Sequence, residues 1–343
     1  MRIGVNFDGF KISDYQNRSK PMPPKNYIQD SFRIFWKNGV DLIRIPVYWE
    51  SYEKDPQGFI NELDVVSAEA DKYDISCIYD NHQWNCSSCL GFGIGFPNSI
   101  VTPTLHDGRL TRSFFRPPLK EDVEQFWNNW WDRAIKTSEG KDGWDVQAEF
   151  LKKVIGIVNS RRSTLGFEIL NEPQVFRKDD FKKVSDYHDY VIAKAASLTN
   201  KLILFCYAYA GSITALNFPW MQAKTRPSFH VKNKIMFDIH PYPPYYVVML
   251  YFKLVSTLMK TGSLFVGEYN AGTSKNVLIG LDQHKRYLKT FKKFYPFGAT
   301  FWQWSYVEDK AHPAFNLTQI LGGKIDSNDN FANLVNALIE MKN

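Results

Sequence analysis

Two apolar runs in this chain each end on a glutamate: Leu165-Gly166-Phe167-Glu168-Ile169-Leu170-Asn171-Glu172-Pro173 and Ser263-Leu264-Phe265-Val266-Gly267-Glu268-Tyr269-Asn270. A carboxylate at the tip of an apolar strand is costly unless a firm partner or a function keeps it there. Two of them suit acid/base and nucleophilic work on one substrate atom, the chemistry of glycosidic bond cleavage. The plainer reading is that each glutamate caps the loop that follows it. Against that stand other polar groups placed in the same way. Arg44 lies within Asp41–Trp49, Asp80 and His82 close Ile75–His82, His240 and Tyr242 close Ile235–Tyr242, and Trp302 lies in Gly298–Trp304.

These residues must be positioned by the strands that carry them. Eight apolar strands are expected near residues 2–7, 41–47, 75–81, 165–171, 201–207, 235–240, 263–268 and 298–303. Amphipathic stretches fill most of the gaps, at Tyr27–Lys37, Glu62–Tyr73, Val146–Asn159, Asp180–Leu198, Tyr246–Lys260 and Asp282–Phe294, with a closing helix at Asn330–Met341. Continuous Ile/Val/Leu/Phe strands alternating with helices indicate a parallel sheet covered on both faces. The fold class is therefore α/β, one (β/α)8 TIM barrel over residues 1–343, with its site at the carboxyl ends of the strands. One excursion breaks the regularity, a long insertion of about eighty residues after strand three. Its Gly/Pro-rich part, 91–118, is expected to form a wall or lid over the cleft. The helix expected at Glu121–Lys136, with Trp127, Trp130 and Trp131, reads as a docking surface against the barrel.

Several other chemistries find no support. The seven histidines, at 82, 106, 188, 230, 240, 284 and 312, contain no His-x-His or His-x-x-x-His pair, so no catalytic metal is expected. Gly91-Phe92-Gly93-Ile94-Gly95 lacks the third-glycine spacing of a dinucleotide fingerprint, so no cofactor is expected. The net charge of +6 is mild, and the basic residues fall in scattered pairs rather than a patch interleaved with stacking aromatics, which argues against nucleic acid. Aromatic residues, however, reach 16 % of the chain. Sugar rings present flat C–H faces that pack on aromatic planes, so an aromatic-lined cleft suits a glycan. Tyr48, Trp49, Trp84, Tyr242, Tyr245 and Trp304 are candidate subsite platforms by their position at strand ends.

Taken in order along the chain, these motifs resemble glycoside hydrolase family 5, the cellulase and mannanase family of retaining β-glycosidases on a (β/α)8 barrel. The resemblance rests on Gly4-Val5-Asn6, Arg44, Asp80-x-His82, Asn171-Glu172-Pro173, His240-x-Tyr242, Gly267-Glu268 and Trp302. It implies that Glu172 is the acid/base and Glu268 the nucleophile. By the same resemblance Asn171 holds the sugar 2-hydroxyl, Arg44 and Tyr242 orient Glu268, and His82, His240 and Trp302 line the central subsite. Arg44 is expected to keep Glu268 ionised, whereas Glu172, lacking such a cation, is expected to hold its proton to higher pH. Glu168, four residues before Glu172 and so ~13 Å further down an extended strand, reads as structural.

The substrate expected is a β-linked oligo- or polysaccharide. A β-1,4-glucan is favoured, β-mannan next and a glycolipid third; the non-enzymatic alternative is a silent carbohydrate-binding barrel, which would have no need of paired carboxylates. Tyr245–Met259 is unusually apolar, yet too short and too interrupted at Lys253 to span a bilayer. It reads as an outer-ring helix. Cys77 and Cys206 read as small apolar strand residues, and Cys86 and Cys89 as either a tight disulfide or a free pair. No signal peptide is visible, which leaves a cytoplasmic protein or an exported one whose signal is not in this sequence; the family's usual polymers lie outside the cell, which favours export. A monomer is the expected state.

Overall fold

A computed structural model describes residues 1–14, 21–90, 93–101, 120–210, 219–228, 235–260, 263–270, 278–308 and 312–342. Eight parallel strands form a closed barrel: β1 (Arg2–Phe7), β2 (Leu42–Val47), β3 (Ser76–Asn81), β4 (Thr164–Glu168), β5 (Leu202–Cys206), β6 (Ile235–Ile239), β7 (Leu264–Tyr269) and β8 (Gly298–Trp304). Each pairs with the next in sequence, and β8 returns to β1. The helices are α1 (Tyr27–Lys37), α2 (Trp49–Lys54), α3 (Pro56–Tyr73), α4 (Asn98–Val101), α5 (Lys120–Trp131), α6 (Gly143–Val158), α7 (Asp180–Ala196), α8 (Pro219–Gln222), α9 (Tyr245–Met259), α10 (Leu281–Lys292) and α11 (Asp329–Lys342). Helix α3 begins before its apolar periodicity does. Asp55 accepts a hydrogen bond from the Gly58 amide at 2.9 Å, and Pro56 occupies the first turn, where its missing N–H costs nothing.

The two-residue period of a strand stacks side chains in layers inside the barrel. Leu42, Ile78, Leu204, Met236 and Phe265 form an apolar plug at one level. Two residues further along the same strands stand Arg44, Asp80, Cys206, Asp238 and Gly267, and Glu168 of β4 joins that layer; its five side chains are all fully buried. This layer sits directly beneath the mouth. The much larger apolar cluster lies outside the strands, against the helices.

Two local departures from regularity matter at the mouth. Strand β4 stops at Glu168 rather than running on to Asn171, so Asn171 and Glu172 belong to the turn beyond it. Glu172 itself has φ +37°, a left-handed conformation that a non-glycine residue adopts only when its surroundings impose it. In β7, three steps from Val266 to Tyr269 match two steps from Ala299 to Phe301 in β8. That extra residue breaks the alternation, and Glu268 turns inward although Gly267 before it already faces the interior.

The insertion after β3 packs much as expected where it is described. Trp127, Trp130 and Trp131 are buried, and the Trp131 indole N–H donates to the Gln174 carbonyl at 2.8 Å, so the cluster is a docking surface. The proposed wall or lid falls largely on 91–92 and 102–119, outside the described residues. Cys86 and Cys89 are free and buried, which removes the disulfide alternative, and burial pushes the Cys89 thiol up to about 11.

Candidate active site

The mouth of the barrel opens into a cleft of about 860 Å³. Glu172, Glu268, Asn171, His82, Tyr242, Trp84 and Trp302 all line it. His240 lies just behind, and Arg44 beneath. The residues singled out from the sequence therefore converge, though Arg44 and His240 act from below the surface.

Arg44 is the hub of the polar layer. Its guanidinium donates to Glu268 Oε1 at 2.9 Å, Asn6 Oδ1 at 3.0 Å, Glu168 Oε2 at 2.9 Å and Asn171 Oδ1 at 2.7 Å, and lies 3.0 Å from Asp80 Oδ2. One buried cation thus faces several carboxyl groups, and burial pushes the Glu168 carboxyl well above the usual range, aided by the charges of Asp238 and Asp80 and opposed by Arg44. Glu168 does not line the cleft. It belongs to the support of Arg44, in keeping with a structural reading.

Glu268 is held at both oxygens, by Arg44 at Oε1 and by the Tyr242 hydroxyl, which donates to Oε2 at 3.1 Å. Asn6 secures the strand beneath it by donating to the Gly267 carbonyl at 2.9 Å. Gly267 leaves room for Asp238, whose Oδ1 accepts from the Gly267 amide at 2.7 Å; a Cβ here would come within 2.2 Å of the other Asp238 oxygen.

Glu172 has different company, and here the expectation of a raised pKa is corrected. Burial does push its carboxyl up, but a hydrogen bond and charge from His240, together with the Tyr207 hydroxyl, bring it below the ordinary value. His240 Nδ1 lies 2.8 Å from Glu172 Oε1, and Tyr207 donates to that same oxygen at 2.7 Å. Burial alone would discharge His240, yet the neighbouring negative groups, Glu268 foremost and Asp238 among them, raise its pKa well above that of free imidazole. The two directions, Glu172 lowered and His240 raised, are those of groups that favour each other's charged forms. The expectation failed because the cation arrives from β6, far away in sequence.

Glu172's turn is pinned from several sides. The Gln83 side-chain amide donates to the Asn171 and Glu172 carbonyls, both at 2.7 Å, and the Tyr209 amide donates to the Pro173 carbonyl at 2.7 Å. Asn171 Nδ2 donates to the Gln83 carbonyl at 2.9 Å. Gln83 and Tyr207 were not singled out from the sequence. Their signal was position alone, each one or two residues beyond a strand end.

His82 is held by Asp80 at 2.6 Å, and its ring lies parallel to that of Trp302 at 5.3 Å. Of the proposed aromatic platforms, Tyr48, Trp84, Tyr242 and Trp302 face the cleft, joined by Tyr209 and Phe315. Trp49, Tyr245 and Trp304 do not. Trp49 stacks on Phe150, Tyr245 packs on Tyr287 and Phe291, and the Trp304 indole donates to Ser31 of α1.

Oxygens of Glu172 and Glu268 and a ring nitrogen of His240 lie within 4.8 Å of one another. Such a trio could in principle ligate a cation. Arg44 already places positive charge on Glu268, and the His240 ring nitrogen stands 2.8 Å from Glu172 Oε1, so both carboxyl groups already have partners within the protein.

A family model described as Cellulase (glycosyl hydrolase family 5) matches residues 4–308. No curated protein matches the chain. Similar solved structures include endo-glycoceramidase II from Rhodococcus sp. in its ganglioside GM3 complex, with TM-score 0.70 and 14 % identity over 98 % of this chain and 78 % of that one. An endogalactoceramidase gives TM-score 0.66 and 14 % identity over 98 % of this chain and 80 % of that one. The Pseudomonas stutzeri endoglucanase Cel5A gives TM-score 0.55 and 14 % identity over 88 % of this chain and 85 % of that one. At these identities the likeness is one of fold.

Proposed function

The chain belongs to glycosyl hydrolase family 5 and is a retaining glycoside hydrolase; we propose that it cleaves internal bonds of a β-linked glycan, with Glu268 as nucleophile and Glu172 as acid/base. The observation that carries the assignment is the approach of the two carboxyl groups, with oxygens within 4.8 Å, in an aromatic-lined cleft. Retaining enzymes need their carboxyl groups roughly 5 Å apart, whereas inverting ones leave room for a water between them.

In this reading Arg44 and Tyr242 fix the plane of Glu268 so that one oxygen meets the anomeric carbon. Glu172 protonates the departing oxygen. The proton comes from the Glu172–His240 pair, and the charge of Glu268 is what holds it on His240. As Glu268 becomes a neutral glycosyl ester, that hold weakens and the proton passes through Glu172 to the leaving group. Glu172 then serves as the base that takes a proton from water, which hydrolyses the ester and restores Glu268. Asn171 keeps one Nδ2 hydrogen for a sugar hydroxyl, and Trp302 with Trp84 supplies stacking surface.

The favoured substrate is a β-1,4-glucan, with β-mannan next. Glycolipid cleavage is a second reading, favoured by the exposed apolar face of α9 beside the cleft and by the activities named for the similar ceramidase structures. Reducing-end release from carboxymethylcellulose, glucomannan, galactomannan, laminarin, xylan and a ganglioside separates these. Release from carboxymethylcellulose with retained anomeric configuration is expected. Release from the ganglioside alone replaces the glucanase reading, and no release from any of them with binding preserved points to a silent barrel.

A further inference from the structure

Helix α9 turns an apolar face to solvent. Its outward positions are Tyr246, Val247, Leu250, Lys253, Leu254, Thr257 and Leu258, and the five apolar ones among them are each 46 to 62 % exposed. The spacing of i, i+1, i+4, i+8 and i+12 makes a continuous row ~18 Å long at the helical rise. The neighbouring α10 shows what an ordinary outer helix does: its exposed positions are Asp282, Arg286, Lys289 and Lys292. Burial of the inner face of α9 therefore does not account for its outer one, where such a row is exceptional on a soluble surface.

The chemistry around the row selects a partner. Helix α9 has no acidic residue. Lys253 stands within the row, Lys260 caps its end, and Lys293 Nζ lies 5.8 Å from the Tyr246 ring centroid. Exposed aromatics flank it, Trp220 on the adjoining α8 and Tyr295 beyond α10. An apolar stripe edged by lysines and amphipathic aromatics is the make-up of a helix that lies in the plane of a lipid headgroup layer, with aliphatic side chains below and cations against anionic headgroups. We propose that the α9 face docks the enzyme on an anionic lipid surface.

The placement relates docking to catalysis without requiring that the substrate be a lipid. Helix α9 starts three residues after Tyr242, and its Phe252 packs edge-on against Tyr207 at 5.1 Å, whose hydroxyl holds Glu172. The row thus runs from the rim of the mouth along the barrel wall. Docked on it, the cleft opens sideways over the surface. This holds whichever glycan the cleft accepts.

The test is sedimentation of the full chain with vesicles of phosphatidylcholine mixed with phosphatidylglycerol, against phosphatidylcholine alone, neither containing glycolipid. Binding to the mixed vesicles is expected to weaken in high salt and to fall by at least about tenfold in Leu250→Glu/Leu254→Glu. Lys253→Gln/Lys293→Gln should weaken it less, leaving the melting temperature and the hydrolysis of a soluble aryl glycoside unchanged; this pair carries the test should the leucine variant not fold. Absence of binding to mixed vesicles overturns the proposal, as does binding that neither pair of substitutions diminishes. A wild-type dimer that the leucine substitutions dissociate also overturns it, assigning the face to a second copy of the chain. Because aryl glycoside turnover is read separately, failure of docking is distinguishable from failure of the glycosidase assignment.

Discussion

Glu172 and Glu268 are chemically identical side chains made different by what holds them. Glu268 is fixed by a guanidinium and a phenol, Glu172 by an imidazole and a phenol that converge on one oxygen. Replacing Glu268 with Gln removes the nucleophile proposed above, so turnover should fall by several orders of magnitude while the fold and glycan affinity survive. Glu172→Ala should slow natural glycans severely yet still be glycosylated by an activated aryl glycoside, and azide should rescue it. Equal losses on both substrates, without rescue, assign Glu172 another role. Tyr207→Phe removes a donor to the ionised form of Glu172, so its pKa rises. A carbon-13 titration of the Glu172 carboxyl should show the midpoint moving up, and the rate loss should be larger for poor leaving groups. A phenol that served only packing would leave the midpoint in place.

At the scale of elements, the loop after β3 is fastened by a buried carboxyl. Glu50 of α2 accepts from the Ser88 hydroxyl and the Gly95 amide, both at 2.7 Å, and burial raises its pKa to about 7 despite these bonds. The folded state therefore holds a proton that the unfolded chain, with a pKa near 4.5, has already released. Stability from this group is fully present below about 4.5 and declines as the pH rises towards 7, by on the order of 3 kcal/mol. Glu50→Gln keeps an acceptor for Gly95 and a group for Ser88 but cannot ionise. Denaturant titrations between pH 4.5 and 7 should show a falling stability in wild type and a flatter profile in the variant; parallel profiles would mean that Glu50 does not ionise in the fold. Trp84 rides on this loop, tied by paired backbone hydrogen bonds to Ile94, so the same proton tunes the order of one wall of the cleft.

The whole molecule works as a closed ring that brings eight strand ends to one mouth and ties five strands to Arg44 of a sixth, β2. Closure runs through the seam of β8 and β1, and two tryptophans on β8 divide the labour. Trp302 faces the cleft over His82, whereas Trp304 is fully buried against Phe35 of α1 and Phe331 of α11. Trp304→Ala should cost about 3–5 kcal/mol of stability and leave kcat/KM per folded molecule unchanged. Trp302→Ala should do the reverse, lowering kcat/KM by an amount equivalent to about 1–3 kcal/mol with a small change in Tm. Melting curves and kinetics on both variants check the division. A large Tm drop with unchanged kcat/KM in the Trp302 variant would place that ring in the core.

The pattern along the chain was sufficient for the barrel, because buried parallel strands must be apolar throughout and only their mouth ends can afford Arg44, His82, Glu172, His240 and Glu268. It also marked Glu168 as structural, but the extended rise used to separate it from Glu172 ends at Glu168 itself, and what sets that carboxyl apart is its burial beneath the cleft against Arg44. What each side chain touches was beyond it. The period of two fails where β7 gains a residue and where β4 ends early, so the facing of Glu268 and the strained turn at Glu172 depend on neighbouring strands. Trp49, Tyr245 and Trp304 stand at strand ends like Tyr48 and Trp302, and only the packing of helices outside the barrel draws them into the core. The proton of Glu172 was the largest misreading, because electrostatic partners are set by distance in space: His240 is 68 residues away along the chain and 2.8 Å away in the fold.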